Sequence, residues 1–223
     1  MTRTPLRQRI LPNYTRGEEL MNMVTHIVGG GFGLAVLIGA IIVSVAGKNP
    51  WAISSFTVYG FTVVLLYTVS SVYHGLNANM GKRVMQVIDH CAIYFLIAGT
   101  YTPILLVAMR PAYPVISWVM FGAEWGLAAL ATTLTAIDLK KYVRFSMTCY
   151  ICMGWLVAIA IKPAINALSL KGFLWLLGGG LSYTVGAVLY GVGKKKKYFH
   201  SVFHIFVNLG SLMHAIAIIF YIL

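Results

Sequence analysis

The fold turns on the stretch Lys194-Lys195-Lys196-Lys197-Tyr198-Phe199-His200-Ser201-Val202-Phe203-His204. Four consecutive lysines are followed by a mostly apolar tract that runs to Leu223. Lysines stay out of hydrocarbon, and a helix crossing a bilayer core needs about 20 apolar residues. The stretch therefore predicts a membrane helix that begins at the lysines. His200 and His204 are four residues apart, so they stand one above the other on one helix face. That spacing lets both imidazoles reach one metal ion, or lets each hydrogen-bond a neighbouring helix. An ionisable group just inside a membrane is costly and marks a functional candidate.

The rest of the chain has the same character. Of its 223 residues, 59% are hydrophobic and only 10% charged, where a soluble domain carries about a quarter charged residues. Long apolar stretches recur, which predicts an all-α, multi-pass membrane protein without room for a separate soluble domain. The net charge of +12 does not point to nucleic acid. The basic residues punctuate the ends of apolar segments, as topology signals and contacts for anionic headgroups do. Met1 to Arg16 is basic but has no apolar run before a small-residue cleavage site, so the first helix is expected to stay uncleaved. Cys91, Cys149 and Cys152 all fall in apolar segments. An odd count at membrane depth argues against a disulfide framework, and the C-x-x-C at 149–152 reads as packing residues.

Seven spans are expected, at roughly 22–46, 52–75, 85–108, 114–137, 144–162, 171–192 and 199–222, each able to cross a core that takes about 20 residues. They form one domain over residues 18–223, preceded by a cytoplasmic segment at 1–17. Asn49-Pro50, Arg110-Pro111 and Lys162-Pro163 mark helix ends on one side. With the N-terminus inside, 13 of the 17 basic residues fall on the inner side, leaving Lys48, Arg110, Lys162 and Lys171 outside. This predicts a cytoplasmic N-terminus and an external C-terminus. That orientation is opposite to the usual G-protein-coupled receptor, and no lysine lies in the seventh span to form a retinal Schiff base. Gly29-x-x-x-Gly33, and the cluster Gly178 to Gly180 with Gly186, are expected to allow close helix packing inside the bundle.

Polar residues then converge at one depth. Glu19, Asn22 and His26 share one face of the first span, and Ser70 and His74 share one face of the second. Asp89-His90 opens the third, and His200 and His204 open the seventh. Five of the six histidines thus lie near the cytoplasmic ends of four different helices, a depth agreement that follows from lysines and arginines alone. Neutral imidazole is the commonest metal ligand, and three nitrogen ligands with an open fourth position describe a catalytic type of zinc site. His74, His200 and His204 are the candidate ligands. Asp89 is a fourth ligand or holds a zinc-bound water. Few carboxylates are near, which disfavours magnesium and calcium, and the absence of cysteine disfavours Cu(I). The alternative is a hydrogen-bonded polar cluster without metal. His26 is either adjacent to the ligands or an interhelix hydrogen bond, with the latter favoured. His90 points about 100° away from Asp89 and reads as structural. His214, about 15 Å deeper than His204, is expected to bond a neighbouring helix. Glu124 is a proton-relay carboxylate or a protonated or hydrogen-bonded one in a packing role. Trp51, Tyr113, Tyr198 and Tyr221 suit interfacial belts.

At these residues the chain resembles the bacterial hemolysin III family, related to the progestin and adiponectin receptors. The marks are Glu18-Glu19-x-x-Asn22-x-x-Thr25-His26, then Ser70-x-x-x-His74 with the stretch from Asp89 to Pro103, then Met153-Gly154-Trp155 and His200-x-x-x-His204. The match runs from Glu18 over almost the whole chain and is nearest the enterobacterial inner-membrane branch. The resemblance implies seven helices and a zinc ion near the cytoplasmic face, held by His74, His200 and His204, with Asp89 binding through water. It also implies a role in membrane-lipid or fluidity homeostasis in the bacterial plasma (inner) membrane. Its eukaryotic and ceramidase relatives imply hydrolysis of a lipid amide.

On a hydrolase reading, acting on a lipid amide or ester, Asp89 accepts the water's proton and Ser70 orients the water or stabilises the oxyanion. Asn22 and His26 stand behind the ligands, and membrane lipids are the expected partners. The alternatives are a non-enzymatic regulator stapled by zinc, and a pore or transporter. The sequence leaves the oligomeric state open.

Overall fold

A computed structural model describes residues 3–193 and 196–222. Lys194 and Lys195, half of the lysine run, lie outside the described residues. The described chain is helical, with no strand. Its main helices are α1 (Arg16–Ala46), α2 (Pro50–Gly75), α3 (Met80–Pro103), α4 (Pro114–Ile137), α5 (Val143–Gly154), α6 (Ile161–Val192) and α7 (Phe199–Tyr221). Six stretches are long and apolar enough to cross a membrane. The fifth of these runs unbroken by composition from Val143 to Val192.

Local chemistry sets the boundaries. The Thr15 side chain caps the Glu18 N–H while the Glu18 carboxylate accepts from Thr15, a reciprocal box that starts α1 at Arg16, six residues before the expected span. Asn49 caps α2 with Pro50 in the first turn, where its missing N–H costs nothing. Asn79 caps α3, which continues past Pro103 as a π-helical segment, Ile104–Met109.

The expected end at Lys162-Pro163 is displaced. Pro163 sits in the first turn of α6, where proline is tolerated. The chain instead breaks on either side of it. α5 stops at Gly154 and passes through a short 3₁₀ turn, Leu156–Ala160. Inside α6, Ser169 takes a left-handed φ of 63°, a costly conformation for a non-glycine residue. Its hydroxyl accepts a 3.4 Å bond from the Gly172 N–H, restarting the helix.

α1 packs along α2, α2 along α3, and α6 along α7, while α7 returns against α1. Gly29 lies against Tyr67 of α2 and Asn208 of α7, and Gly33 against Val63; a Cβ on either would collide with these side chains. The small-residue motif thus serves contacts within the bundle. Large apolar side chains such as Ile27, Val28, Val119, Val188 and Phe220 face outward, while Asn22, His26, His74, Glu124 and His204 are buried. A soluble fold shows the reverse distribution. Cys91, Cys149 and Cys152 are free thiols.

The N-terminal segment crosses beneath α3 and docks on the end of α4. Arg3 and Arg9 donate to the Ile137 carbonyl at 2.9 and 3.0 Å, and the Thr4 N–H donates to the Asp138 carboxylate at 2.8 Å. Burial pushes the Asp138 carboxyl up, but the N–H groups of Thr4 and Lys141 and the nearby Arg9 hold it below the usual range. Because its folded value is lowered, this contribution is present at neutral pH and is lost as pH falls through that value. Asp138→Asn keeps an acceptor but loses the charge, roughly half of a charge-assisted bond worth about 1.5–3 kcal/mol. Limited trypsin digestion of the variant is expected to cut at Arg7 roughly tenfold faster, as 1.4 kcal/mol of lost protection implies.

Candidate metal centre

The first turns of α1 and α7 and the last turn of α2 meet at one point. Three side-chain hydrogen bonds bring α1 and α7 together. The Tyr198 N–H, at the start of α7, donates to Glu18 Oε1 at 2.9 Å. Ser201 Oγ donates to Asn22 Oδ1 at 2.6 Å, and Asn208 Nδ2 to the Thr25 carbonyl at 2.9 Å. With α7 fixed this way, His200 and His204 face His74 of α2. The three offer ligand atoms that lie within 4.8 Å of one another. His200 Nε2 is 3.3 Å from His74 Nε2 and 3.1 Å from His204 Nε2.

The tautomers follow from the partners on the far side of each ring. His74 Nδ1 is 2.7 Å from Glu19 Oε2, and His204 Nδ1 is 3.1 Å from the Asn22 carbonyl. A carbonyl and an ionised carboxylate only accept, so both Nδ1 atoms carry the hydrogen and both Nε2 atoms present lone pairs. Such lone pairs gathered around His200 Nε2 need a proton or a cation between them. Two nitrogens about 2.05 Å from a tetrahedral zinc ion are about 3.3 Å apart, and the observed separations match that spacing. The donor set suits zinc and leaves a fourth position open.

The other residues singled out in the sequence fall as follows. Asp89 lies against the Ser70 hydroxyl, and both line a cavity of about 180 Å³ that also receives His200 and His204. His90 bonds the Gln86 carbonyl of its own helix at 2.8 Å. His214 bonds the Leu176 carbonyl of α6 at 3.0 Å, the expected link to a neighbouring helix. His26 differs from expectation. Neither of its ring nitrogens has a hydrogen-bond partner, because the ring lies flat on His204, with centroids 3.6 Å apart and planes at 8°, and meets Tyr67 edge-on. It shapes the His204 ring by stacking. Asn22 acts through both its backbone carbonyl and its side chain. Glu124 is buried with neither carboxyl oxygen bonded.

Sequence reasoning missed Tyr14 and the burial of Lys82, and it named Glu19 and Thr25 without their contacts to the histidines. Tyr14 stacks on His200 at 5.1 Å and 23°, covering the cluster from outside the bundle, and burial together with nearby Tyr190 and Glu19 pushes its phenol up. Lys82 reads as a topology charge yet is buried. Glu19 shares a helix face with Asn22 and His26, but its contact with His74 crosses between helices. Thr25 falls inside the resemblance motif, and its hydroxyl is 3.3 Å from His204 Nδ1.

Fold and site together define a multi-pass helical membrane protein with a three-histidine cluster able to hold a metal ion. Residues 14–215 match the family described as "Haemolysin-III related". The chain is 36% identical to the Hemolysin-3 of Bacillus cereus over 206 residues, 92% of each protein. It is also 36% identical to a Hemolysin-3 homolog of Bacillus subtilis over 208 residues, 93% of this chain and 96% of that one. The human protein named "Monocyte to macrophage differentiation factor" is 26% identical over 224 residues, 97% of this chain and 88% of that one. The chain belongs to the haemolysin III family.

His204→Ala removes one ligand and is expected to abolish stoichiometric metal in the purified protein, measured by elemental analysis. In the wild type, chelation should lower the unfolding free energy by about 3 kcal/mol if the free metal stood at a hundredfold its Kd. The variant's melting temperature should not respond to chelator.

Proposed function

We propose that this is a zinc protein of the bacterial plasma (inner) membrane that acts on membrane lipid, by hydrolysis of a lipid amide or ester, and so contributes to lipid or fluidity homeostasis. The observation that carries the reading is the cavity. It has the metal cluster, Asp89 and Ser70 at one end and a largely apolar wall beyond them, built from residues such as Leu66, Ile97, Val207 and Trp155. α5 packs on α3 and α4 and has little contact with α6, and residues of both helices line the cavity, which supports entry of an acyl chain between those two helices.

The topology behind this reading has seven spans. A 50-residue helical stretch from Val143 to Val192 would extend about 75 Å, against a hydrocarbon core of about 30 Å. The breaks at Gly154–Ile161 and Ser169 support reading it as two crossings. The excess of lysine and arginine then puts the N-terminus and the metal cluster on the cytoplasmic side, in one domain from residue 18 onward.

Bound zinc supplies a Lewis acid and an acidified water at neutral pH. The chain's own residues do the rest. Asp89, which lines the cavity with His200 and His204, accepts the water's proton and passes it to the leaving amine or alcohol. The Ser70 hydroxyl, close to Asp89, orients the water or donates to the developing oxyanion when the substrate arrives. The apolar wall binds the acyl chain and excludes water.

Purified wild-type protein in nanodiscs, offered a long-chain N-acyl lipid, is expected to release fatty acid. Asp89→Asn should lower that rate by about 10²–10⁴, the usual worth of a general base, while keeping its zinc. Undiminished turnover by Asp89→Asn would remove the role given to Asp89.

A second reading, a zinc staple without chemistry, is favoured by the ligands' origin on two different helices, α2 and α7. No release of fatty acid from any lipid amide or ester, with a chelator-sensitive melting temperature, would select it. The pore or transporter reading has less support, because Glu124 is not among the residues lining the cavity that His214 touches.

A further inference from the structure

Lys82 is 4% exposed, and an ammonium that deep must be paired. All three of its donors are used. Nζ lies 2.7 Å from Glu19 Oε1, 2.9 Å from the Leu76 carbonyl and 3.5 Å from the His74 carbonyl. The two carbonyls belong to the end of α2, so the lysine of α3 holds the backbone around His74. Its partner Glu19, on α1, has one oxygen left, and that oxygen is the one 2.7 Å from His74 Nδ1. A continuous chain thus runs from Lys82 through Glu19 to His74 and ends at the His74 Nε2 lone pair.

The three histidines differ in this respect. His204 donates to a neutral backbone carbonyl, and His200 Nδ1 has no hydrogen-bond partner. His74 alone has a charged acceptor behind it. We propose that Glu19, held in place by Lys82, is the positioning residue that fixes the tautomer and ring direction of His74 for a bound divalent metal. The proposal rests on the metal reading of the cluster and adds to it a carboxylate–histidine–metal arrangement, which orients a ligand from behind.

The competing account is an ion pair that merely ties α1, α2 and α3 together. Metal affinity and apo-protein stability separate the two. Purified full-length protein is stripped of metal and titrated with Zn²⁺ against a chromogenic chelator. Co²⁺ is added in parallel, and its visible ligand-field bands report coordination geometry. Glu19→Gln keeps the side chain's shape and removes its charge. Because it leaves Lys82 buried and unpaired, Glu19→Gln/Lys82→Met is tested beside it.

The expected result is a metal Kd weakened about 10–100-fold in both variants, altered Co²⁺ bands, and an unchanged melting temperature for the metal-free double variant. Wild-type affinity and wild-type Co²⁺ bands in the double variant would overturn the positioning role while leaving the metal site intact. A fall in metal-free melting temperature that matches the fall in affinity would overturn it in favour of the helix tie. A wild-type chain that binds neither Zn²⁺ nor Co²⁺ would overturn the metal reading, and this proposal with it.

Discussion

The structure depends on three imidazole nitrogens that point at one another where water is scarce. Two of them are lone pairs by the logic of their partners, and the third lies 3.1–3.3 Å from both. Such an arrangement needs a shared hydrogen or a cation at its centre, and the surrounding chain is built to hold it. α1 supplies no ligand, yet its first three turns touch every ligand-bearing element. Glu18 holds the start of α7, Glu19 holds His74, Asn22 holds both His204 and Ser201, and His26 lies flat on His204. A helix whose outward face is a lipid surface thus carries, on its inner face, the frame of the site.

The same frame explains why packing is tight around α1, α2 and α7 and looser beyond them. Small residues at Gly29, Gly33 and Gly60 let α1 and α2 approach until side chains meet backbone, and without a hydrophobic drive between helices in lipid, such close contact is the main source of association. α5 has no comparable seam with α6. It ends early, and the two are joined across Trp155, whose indole N–H donates to Thr184 at 3.0 Å. The cavity survives in that unsealed region, adjoining the cluster rather than remote from it.

Much of this was legible from residue order. Apolar length gave the helices, asparagine and proline at Asn49-Pro50 gave one boundary, and the lysines and arginines gave a common depth for His74, Asp89, His200 and His204. The resemblance named the same histidines. What was not legible depends on contacts between helices or on tolerance of local rules. Pro163 looked like a stop because proline breaks helix interiors, but at a first turn it does not. Ser169 carried no sign of its left-handed backbone, a conformation that residue identity discourages. Lys82 is chemically the same as the lysines that set topology, and only its burial separates it from them. His26 was expected to find a hydrogen bond, but a stacked ring leaves its nitrogens pointing past any acceptor.

Asp89, Ser70, His200 and His204 line the cavity near the cluster, while other polar groups along it, Thr100, Tyr101, Tyr183, Thr184 and His214, already have hydrogen-bond partners within the protein. A cavity with a carboxylate and imidazoles near the cluster, a mostly apolar wall and most of its other polar groups already paired suits an amphiphile held by its head. The end nearest the cluster carries a nucleophile-activating site if a metal is present, a carboxylate beside it, and Tyr14 stacked on His200. A purely structural staple needs the three imidazoles and their supports, but it has no use for Asp89 and Ser70 lying together against a cavity, since burying a carboxylate at that depth is costly. That pairing, more than the histidines themselves, is what tilts the physical argument from a staple towards chemistry on a lipid.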